Sequence, residues 1–496
     1  MNLRTIILPV LITLITTSFA CSYSARSEDN APVPGDAPDE RMFDFTDEVT
    51  DGNAENIILV IADGMQLENI HALRLFLGAG NPLPWDEFEY SGYATTWDID
   101  TYNRYAARSG EPAWSPDSFD PLVGYDPERG GDAPWPVSDI PDPDYFFRAL
   151  PEMDGGDDTY AIPAACSASA GTAIATGCKT CAGNVSWLPG DPSDGQIETI
   201  AEIMRNRNNA AIGIVTTVQF SHATPAVFVA HNTSRGNTTQ IAHEILNEFR
   251  PEVVLGGGHP DYIGGYISSD DYRRCYMSDN RIFHERAEGR DGGAGLLEVA
   301  SVAVSIDGEL FGLYGGANGH FDDDLMDPDL SEAVTAAFEV LSTDPDGFFL
   351  MAEQGDLDWA NHYNDYHWMI DAMVEFGAAV STIVELVNRP DDSVTWDNTL
   401  LIITADHATG GLRILDESLL TPGTLPEMTG ERYHYEFPGG EVSYMCTTHT
   451  NEPVPLFAHG KGADLFRDYE GAWYPGTRIV DNTHIFEVMT LATIPD

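Results

Sequence analysis

Acids and imidazoles recur in this chain where apolar runs end. Ile57-Ile58-Leu59-Val60-Ile61 leads into Ala62-Asp63-Gly64-Met65, and Phe348-Phe349-Leu350-Met351 into Ala352-Glu353, with Asp358 and His362 close behind. Leu400-Leu401-Ile402-Ile403-Thr404 leads into Ala405-Asp406-His407, and His449 follows in a later loop. Nitrogen and hard oxygen donors of this kind suit zinc and magnesium respectively. Taken singly, each is ordinary. A strand-end Asp is commonly a turn or cap residue, and the four-residue spacing of Asp358 and His362 puts both on one helical face by chance often enough. Their joint occurrence at the ends of several strands is the signal, because such ends converge on one rim.

A serine and an arginine complete the set. Ser167 lies in Ala165-Cys166-Ser167-Ala168-Ser169-Ala170-Gly171-Thr172-Ala173, small residues that lead into a predicted helix. At the N-terminus of that helix, backbone N–H groups and the dipole favour an anion. A serine there is a cap or packing residue unless a base or metal lowers its pKa, and a neighbouring zinc would meet that condition. Arg235 offers a planar fork able to hold two oxygens of an oxyanion.

These residues need a scaffold that brings strand ends together. Buried strands are predicted at 56–61, 211–216, 253–255, 348–351 and 399–404, and helices at 66–78, 237–249, 329–342 and 366–388. Such alternation defines an α/β fold: a mostly parallel central sheet with helices on both faces, whose ligands sit beyond the carboxyl ends of the strands. Residues 98–160 are dense in Asp, Pro, Gly, Tyr and Trp without sustained periodicity, and read as a surface insertion whose aromatics pack on the main body.

The chain-wide properties bound the rest. With 43% hydrophobic residues, the 496-residue chain can build a sizeable core. Its net charge of −56 repels phosphate backbones and anionic lipid, arguing against nucleic-acid and membrane-surface partners. It suits a protein held soluble in salty water, a halophilic pattern, where screening weakens self-repulsion. At the N-terminus Arg4 precedes an apolar run from Ile6 to Ile15, too short for a stable span; residues 1–21 read as an export signal and 22–52 as a disordered acidic arm before a catalytic domain at 53–496. Ala20-Cys21 resembles a bacterial lipoprotein processing site, so lipid anchorage at Cys21 stands as an alternative to simple cleavage. The expected location is periplasmic, cell-surface or extracellular. Cys178-x-x-Cys181 lacks a second pair at zinc-ribbon spacing and reads as a disulfide or two small thiols.

Together these blocks resemble the alkaline phosphatases over most of residues 55–490. Asp63-Gly64-Met65 is similar to the family's first metal strand, and Ser167 to its nucleophile, with Thr172 five residues on and Lys179 twelve on fixing the register against Ser169. His222-Ala223-Thr224-Pro225, with His231 and with Arg235 thirteen after His222, resembles the block that holds a magnesium threonine and the phosphate-binding arginine. The resemblance implies hydrolysis of small phosphomonoesters through a phosphoserine, with two zinc ions and one magnesium as cofactors. It places one zinc on Asp358, His362 and His449, the other on Asp63, Asp406 and His407, and magnesium on Asp63, Thr224 and Glu353. It also implies that a homodimer is open to the chain. His222 and Trp359 stand where family members vary, and their pairing resembles that of some marine bacterial enzymes. Cys166 departs from the pattern: an Asp that helps position the arginine is usual there, which implies weaker phosphate binding in this chain. The alternatives are a sulfatase or phosphodiesterase on the same fold, or a catalytically weak phosphate- or metal-binding protein. The sulfatase motif needs Arg four residues after its reactive residue, and Ala170 stands at that place.

Overall fold

The computed structural model describes residues 54–493 apart from 117, 124–163, 279, 323 and 391–392. The signal, the acidic arm and most of the 98–160 segment lie outside the described residues. The described ones fall within one compact unit, Val49–Asp496.

Ten strands form one sheet: β1 Asn56–Ala62, β2 Tyr90–Thr95, β3 Ala211–Gln219, β4 Val253–Gly257, β5 Arg281–Glu285, β6 Glu309–Leu313, β7 Phe348–Gln354, β8 Thr399–Thr404, β9 Val454–Gly460 and β10 Ile479–Asp481, in the order β10-β2-β9-β8-β1-β7-β3-β4-β6-β5. Every pairing is parallel except those of β9, which runs antiparallel to both β8 and β2. β1 is central, and all seven of its residues are buried, as expected of a strand covered on both faces. Each Ile, Leu or Val so removed from water contributes about 1.5–3 kcal/mol, which makes the register of these strands hard to shift.

That register does the gathering. Ile61 pairs with Glu353 on one side and Thr404 on the other, and Thr216 of β3 pairs with Glu353. Asp63, Glu353 and Asp406 therefore leave neighbouring strands at the same level.

Helices cover both faces of the sheet. On one side lie α1 Leu67–Leu77, α7 Gly292–Ile306, α8 Leu330–Leu341 and α10 Tyr366–Val387. The other layer is built by α3 Ser167–Thr176, α4 Ile200–Asn208, α5 Ala223–Val229 and α11 Asn482–Ala492. The helix expected at 237–249 is α6 Thr238–His243, which passes into a π-helical turn at Glu244–Phe249. Among the described residues no helix is long and apolar enough to cross a membrane, and no disulfide joins Cys178 and Cys181.

The start of the supposed insertion differs from expectation. Ile99–Ser109 is a helix, α2, capped by Asp98 accepting from Thr101 N–H at 2.7 Å. Its Tyr102 and Tyr105, three apart on one face, join Trp97 in a buried cluster with Tyr474 and Ile479. The polar residues between these aromatics hide the helical period. Those of the segment's aromatics that lie among the described residues pack on the main body.

Beyond α3, Lys179 is buried and pairs with Asp481 at 3.0 Å, while its Nζ donates to Trp97 O at 2.8 Å and Asn482 Oδ1 at 2.6 Å. Asp481 in turn caps α11 by accepting from Thr483 N–H. This pair ties the helix carrying Ser167 to the last helix of the domain. Replacing Lys179 by Ala leaves a buried carboxylate without its cation, which costs about 3–5 kcal/mol. Chemical denaturation should show that loss, and a Lys179→Met, Asp481→Asn double variant should recover part of it.

Candidate active site

Six of the side chains expected to bind metal form two clusters at the carboxyl edge of the sheet. Asp63, Asp406 and His407 make one, Asp358, His362 and His449 the other, and within each the ligand atoms lie within 4.8 Å of one another. In the first, His407 Nε2 is 3.2 Å from Asp406 Oδ2 and 3.6 Å from Asp63 Oδ1. In the second, His362 Nε2 is 3.3 Å from Asp358 Oδ2, and the Nε2 atoms of His362 and His449 face each other at 3.0 Å. Thr224 Oγ1 donates to Asp63 Oδ2 at 3.4 Å, and Thr216 donates to Glu353, whose carboxyl also interacts with Thr224. Thus Asp63, Thr224 and Glu353 meet as a third group.

Local structure explains each placement. Gly64 turns the chain at φ +76°, and a Cβ there would meet Asp358 Cα at 2.8 Å, so only glycine lets Asp63 and Asp358 share the site. Asp358 and His362 lie on α9, Asp356–His362, which follows β7 directly. His449 is delivered by a short antiparallel pairing with Thr409.

The imidazoles are oriented through their second nitrogens. His449 Nδ1 lies 2.8 Å from Ala165 O and His362 Nδ1 2.7 Å from Thr447 O, so each donates there and turns Nε2 inward. Thr409 does the same for His407. Its hydroxyl donates to Asp358 Oδ1 at 2.6 Å and is 3.3 Å from His407 Nδ1, linking the two clusters. Thr409 and Thr216 were not expected from the sequence. Thr409, two residues after His407, carries a readable signal; Thr216, mid-strand, carries none.

The electrostatics show what is missing. Burial, with Asp406, Asp358 and Glu353 nearby, raises the Asp63 carboxyl well above its ordinary value. Burial lifts Glu353 to about 7, and burial and Asp358 raise Asp406. Burial also pushes His449 and His407 down to about 3, so both rings are neutral. Asp358 differs: burial would raise it, but the His362 imidazolium beside it holds it well below the carboxylate range. His362 is the counterpart, raised to about 9 by Asp358 despite burial, so in the absence of metal its proton separates the two facing nitrogens. Asp63 Oδ1, Glu353 Oε1 and Asp406 Oδ2 are buried without a hydrogen-bond partner. Orphaned carboxylate oxygens beside inward-facing lone pairs fit divalent cations.

Ser167 is the first residue of α3 and is buried, with Oγ 3.2 Å from His407 Nε2. Cys166, the N-cap, makes no side-chain cap bond, so the first-turn N–H groups stay open to an anion. Ser169 is committed elsewhere, donating to Asp98 Oδ2 at 2.6 Å. Arg235 Nη2 donates to His222 Nε2 at 3.0 Å; burial and the guanidinium hold that ring near 3, hence neutral and accepting. Trp359 meets the His222 ring edge-on at 6.4 Å. His231 instead bonds Ser186 O and Glu202, a packing role. Cys166 Sγ accepts from Gly183 N–H at 3.1 Å, and Gly183 O accepts from Arg235 N–H at 2.7 Å. The thiol therefore steadies the arginine's backbone and leaves the guanidinium to His222.

A buried serine beside two clusters of metal-ligand type, on a mostly parallel α/β sheet, defines a metal-dependent phosphomonoester hydrolase once known relatives are considered. The model of the alkaline phosphatase family matches residues 155–432, and the chain belongs to that family. It is 26% identical over 359 residues to alkaline phosphatase 4 of Bacillus subtilis (strain 168), covering 61% of this chain and 72% of that protein. It is 30% identical over 292 residues to the tissue-nonspecific alkaline phosphatase of Gallus gallus, covering 50% and 54%. The alkaline phosphatase structure from the Antarctic bacterium TAB5 shares the fold at 20% identity and a TM-score of 0.59, covering 89% of this chain and 98% of that one. A cold-active alkaline phosphatase from Shewanella sp. does so at 22% identity and a TM-score of 0.59, covering 89% and 100%.

Two outcomes follow from this geometry. The raised carboxyls of Asp63, Glu353 and Asp406 bind more protons folded than unfolded, while the depressed His407, His449 and His222 bind fewer below about pH 6.5. The two groups oppose each other in acid. Above about pH 6.5 the carboxyl contribution still changes and is lost as pH rises through about 7, and that of the raised His362 is lost in the same direction toward about 9. Chelated protein should therefore melt at falling temperature from about pH 6.5 to 8, while added zinc and magnesium flatten the trend; a chelator effect independent of pH in that window would contradict this. Cys166→Asp should give Arg235 a charged partner and tighten inhibition by inorganic phosphate on the order of ten-fold. Unchanged inhibition would refute the role given to Cys166.

Proposed function

We propose that the chain hydrolyses phosphomonoesters in two in-line steps through a phosphoserine at Ser167, using two zinc ions and one magnesium. One zinc would be held by Asp63, Asp406 and His407, the other by Asp358, His362 and His449, and magnesium by Asp63, Thr224 and Glu353. The single observation carrying this reading is the Ser167 hydroxyl set against His407 at the joint of the two clusters. A TAB5 alkaline phosphatase variant is described with Mg bound in its M3 site, which supports magnesium as one of the ions.

When bound, the ions supply the positive charge that lowers the pKa of the serine hydroxyl and neutralises the departing oxygen. The chain supplies the rest. Ser167 Oγ forms a bond to phosphorus as the ester P–O bond breaks, and the alcohol leaves, with a proton, on the side of Asp358, His362 and His449. Water then attacks the phosphoserine from that same side, the Oγ–P bond breaks, and phosphate departs. Arg235 and the open N–H groups of α3 hold the equatorial oxygens through both steps. His222 fixes the arginine's plane. We place the enzyme outside the cytoplasm, exported by residues 1–21, with Cys21 a candidate lipid anchor.

Ser167→Ala should abolish phosphoenzyme formation and reduce turnover by several orders of magnitude, on the order of the loss seen when a covalent nucleophile is removed. Acid-quenched labelling with a radioactive phosphomonoester reads this directly. A labelled intermediate that survives the substitution would overturn the assignment.

A further inference from the structure

A cavity of about 350 Å³ opens beside the second cluster, with His362 in its wall. Its other walls are Asn318, His320, Trp359, Tyr363, Trp368, Arg432 and Tyr433. That volume is at the low end for small-molecule sites.

The walls brace one another. Trp368 packs on His320 at 5.6 Å and on Tyr363 at 5.8 Å, and Trp359 meets His320 edge-on at 5.3 Å. His320 is oriented by Nδ1, 2.8 Å from Phe321 O and 2.9 Å from Asp356. Arg432 and Tyr433 sit on a loop closed at its base by reciprocal bonds between Thr429 and Glu436, both 2.9 Å.

Two features mark this as a built site rather than a surface dent. Tyr433 adopts φ +71°, a left-handed conformation unfavourable for a bulky side chain, held by its N–H donating to Tyr363 O at 3.0 Å. Its ring stays exposed and meets Tyr363 edge-on at 4.9 Å. Arg432 lies over the Tyr363 ring at 4.5 Å and, among the described residues, makes no hydrogen bond or ion pair with a carboxylate. In a chain with 80 acidic residues, a guanidinium left to aromatic company is placed for something external.

We propose that this cavity binds the nucleobase of nucleoside monophosphates, making them favoured substrates. The inference rests on the hydrolytic reading above, in which the alcohol departs past His362 and hence into this space. π-faces and a guanidinium suit a planar heterocycle, which can stack while its edges reach Asn318, His320 or Arg432. They suit a simple polyol much less.

Adenosine 5′-monophosphate and ribose 5-phosphate test this, because both release a primary ribose alcohol and differ in the base. With the zinc- and magnesium-loaded enzyme, kcat/KM for the nucleotide should exceed that for the sugar phosphate about ten-fold or more. Trp368→Ala and, separately, Tyr433→Ser should each lower that ratio roughly five-fold. Tyr433 is an exposed loop residue, so its variant keeps the test valid if Trp368→Ala fails to fold. A ratio near one in the native enzyme, or a ratio that neither variant moves, overturns the proposal. If neither ester is hydrolysed, the phosphatase reading fails instead. The cavity is then judged by tryptophan fluorescence: quenching by adenosine but not ribose, lost in Tyr433→Ser, supports it, and equal responses to both overturn it.

Discussion

Four carboxylates, those of Asp63, Glu353, Asp358 and Asp406, are buried within one small volume at the edge of the sheet. A protonated His362 offsets Asp358, whereas the carboxyls of Asp63, Glu353 and Asp406 are raised by burial and by neighbouring acids. In a low-dielectric interior such a cluster is tolerable only if protons or metal ions enter it. Everything around it is arranged so that metal is the better answer. Three imidazoles spend their Nδ1 atoms on Ala165 O, Thr447 O and Thr409 and keep their Nε2 atoms inward. Protons could quiet the acids, but one must then also sit between the facing nitrogens of His362 and His449, whereas a divalent cation meets acids and nitrogens at once.

The oxyanion side is built with far less charge. Arg235 is steered by a neutral histidine and by a backbone link through Gly183 to Cys166, not by a carboxylate. A neutral acceptor orients the guanidinium without cancelling its field, so more of that field reaches a bound anion. The cost is a weaker grip on orientation, because a hydrogen bond to an ionised acceptor is roughly twice as strong as one to a neutral acceptor. The two halves of the site thus follow opposite rules: one concentrates buried carboxylates, on the proposed reading to hold cations, and the other keeps carboxylates away from the guanidinium proposed to hold the substrate.

Much of this was legible in the chain. The buried strands announced themselves as unbroken apolar runs, and the residues that end β1, β7 and β8 are the ones that meet. The edge of the sheet was not legible. β2, with a Gly at its centre, and β9, with Pro455 near its start, lack a clean period, and their strand character comes from pairing with each other and with β8. Helix α2 was hidden because its apolar face is aromatic and its remaining positions polar. In the site, the clustered acids and imidazoles were readable because they recur together at the ends of several strands, although each alone is ordinary. The hydroxyls that orient them were not, since Thr216 looks like any β-branched strand residue. The aromatic cavity draws on four separate stretches of chain, and no local pattern joins Trp368 to Tyr433.

An enzyme of net charge −56 that takes an anionic substrate faces a conflict between its long-range and short-range fields. Far from the site the surface repels a phosphomonoester; within a few ångströms Arg235, the helix N-terminus and bound metal attract it. Salt separates the two, because the Debye length falls from about 10 Å at 0.1 M to about 3 Å at 1 M. Contacts at hydrogen-bond distance in a buried site survive that screening, while the repulsive halo of the distant acids does not. A surface of this charge therefore makes substrate arrival depend on salt, or on a site recessed and cationic enough to outweigh the repulsion.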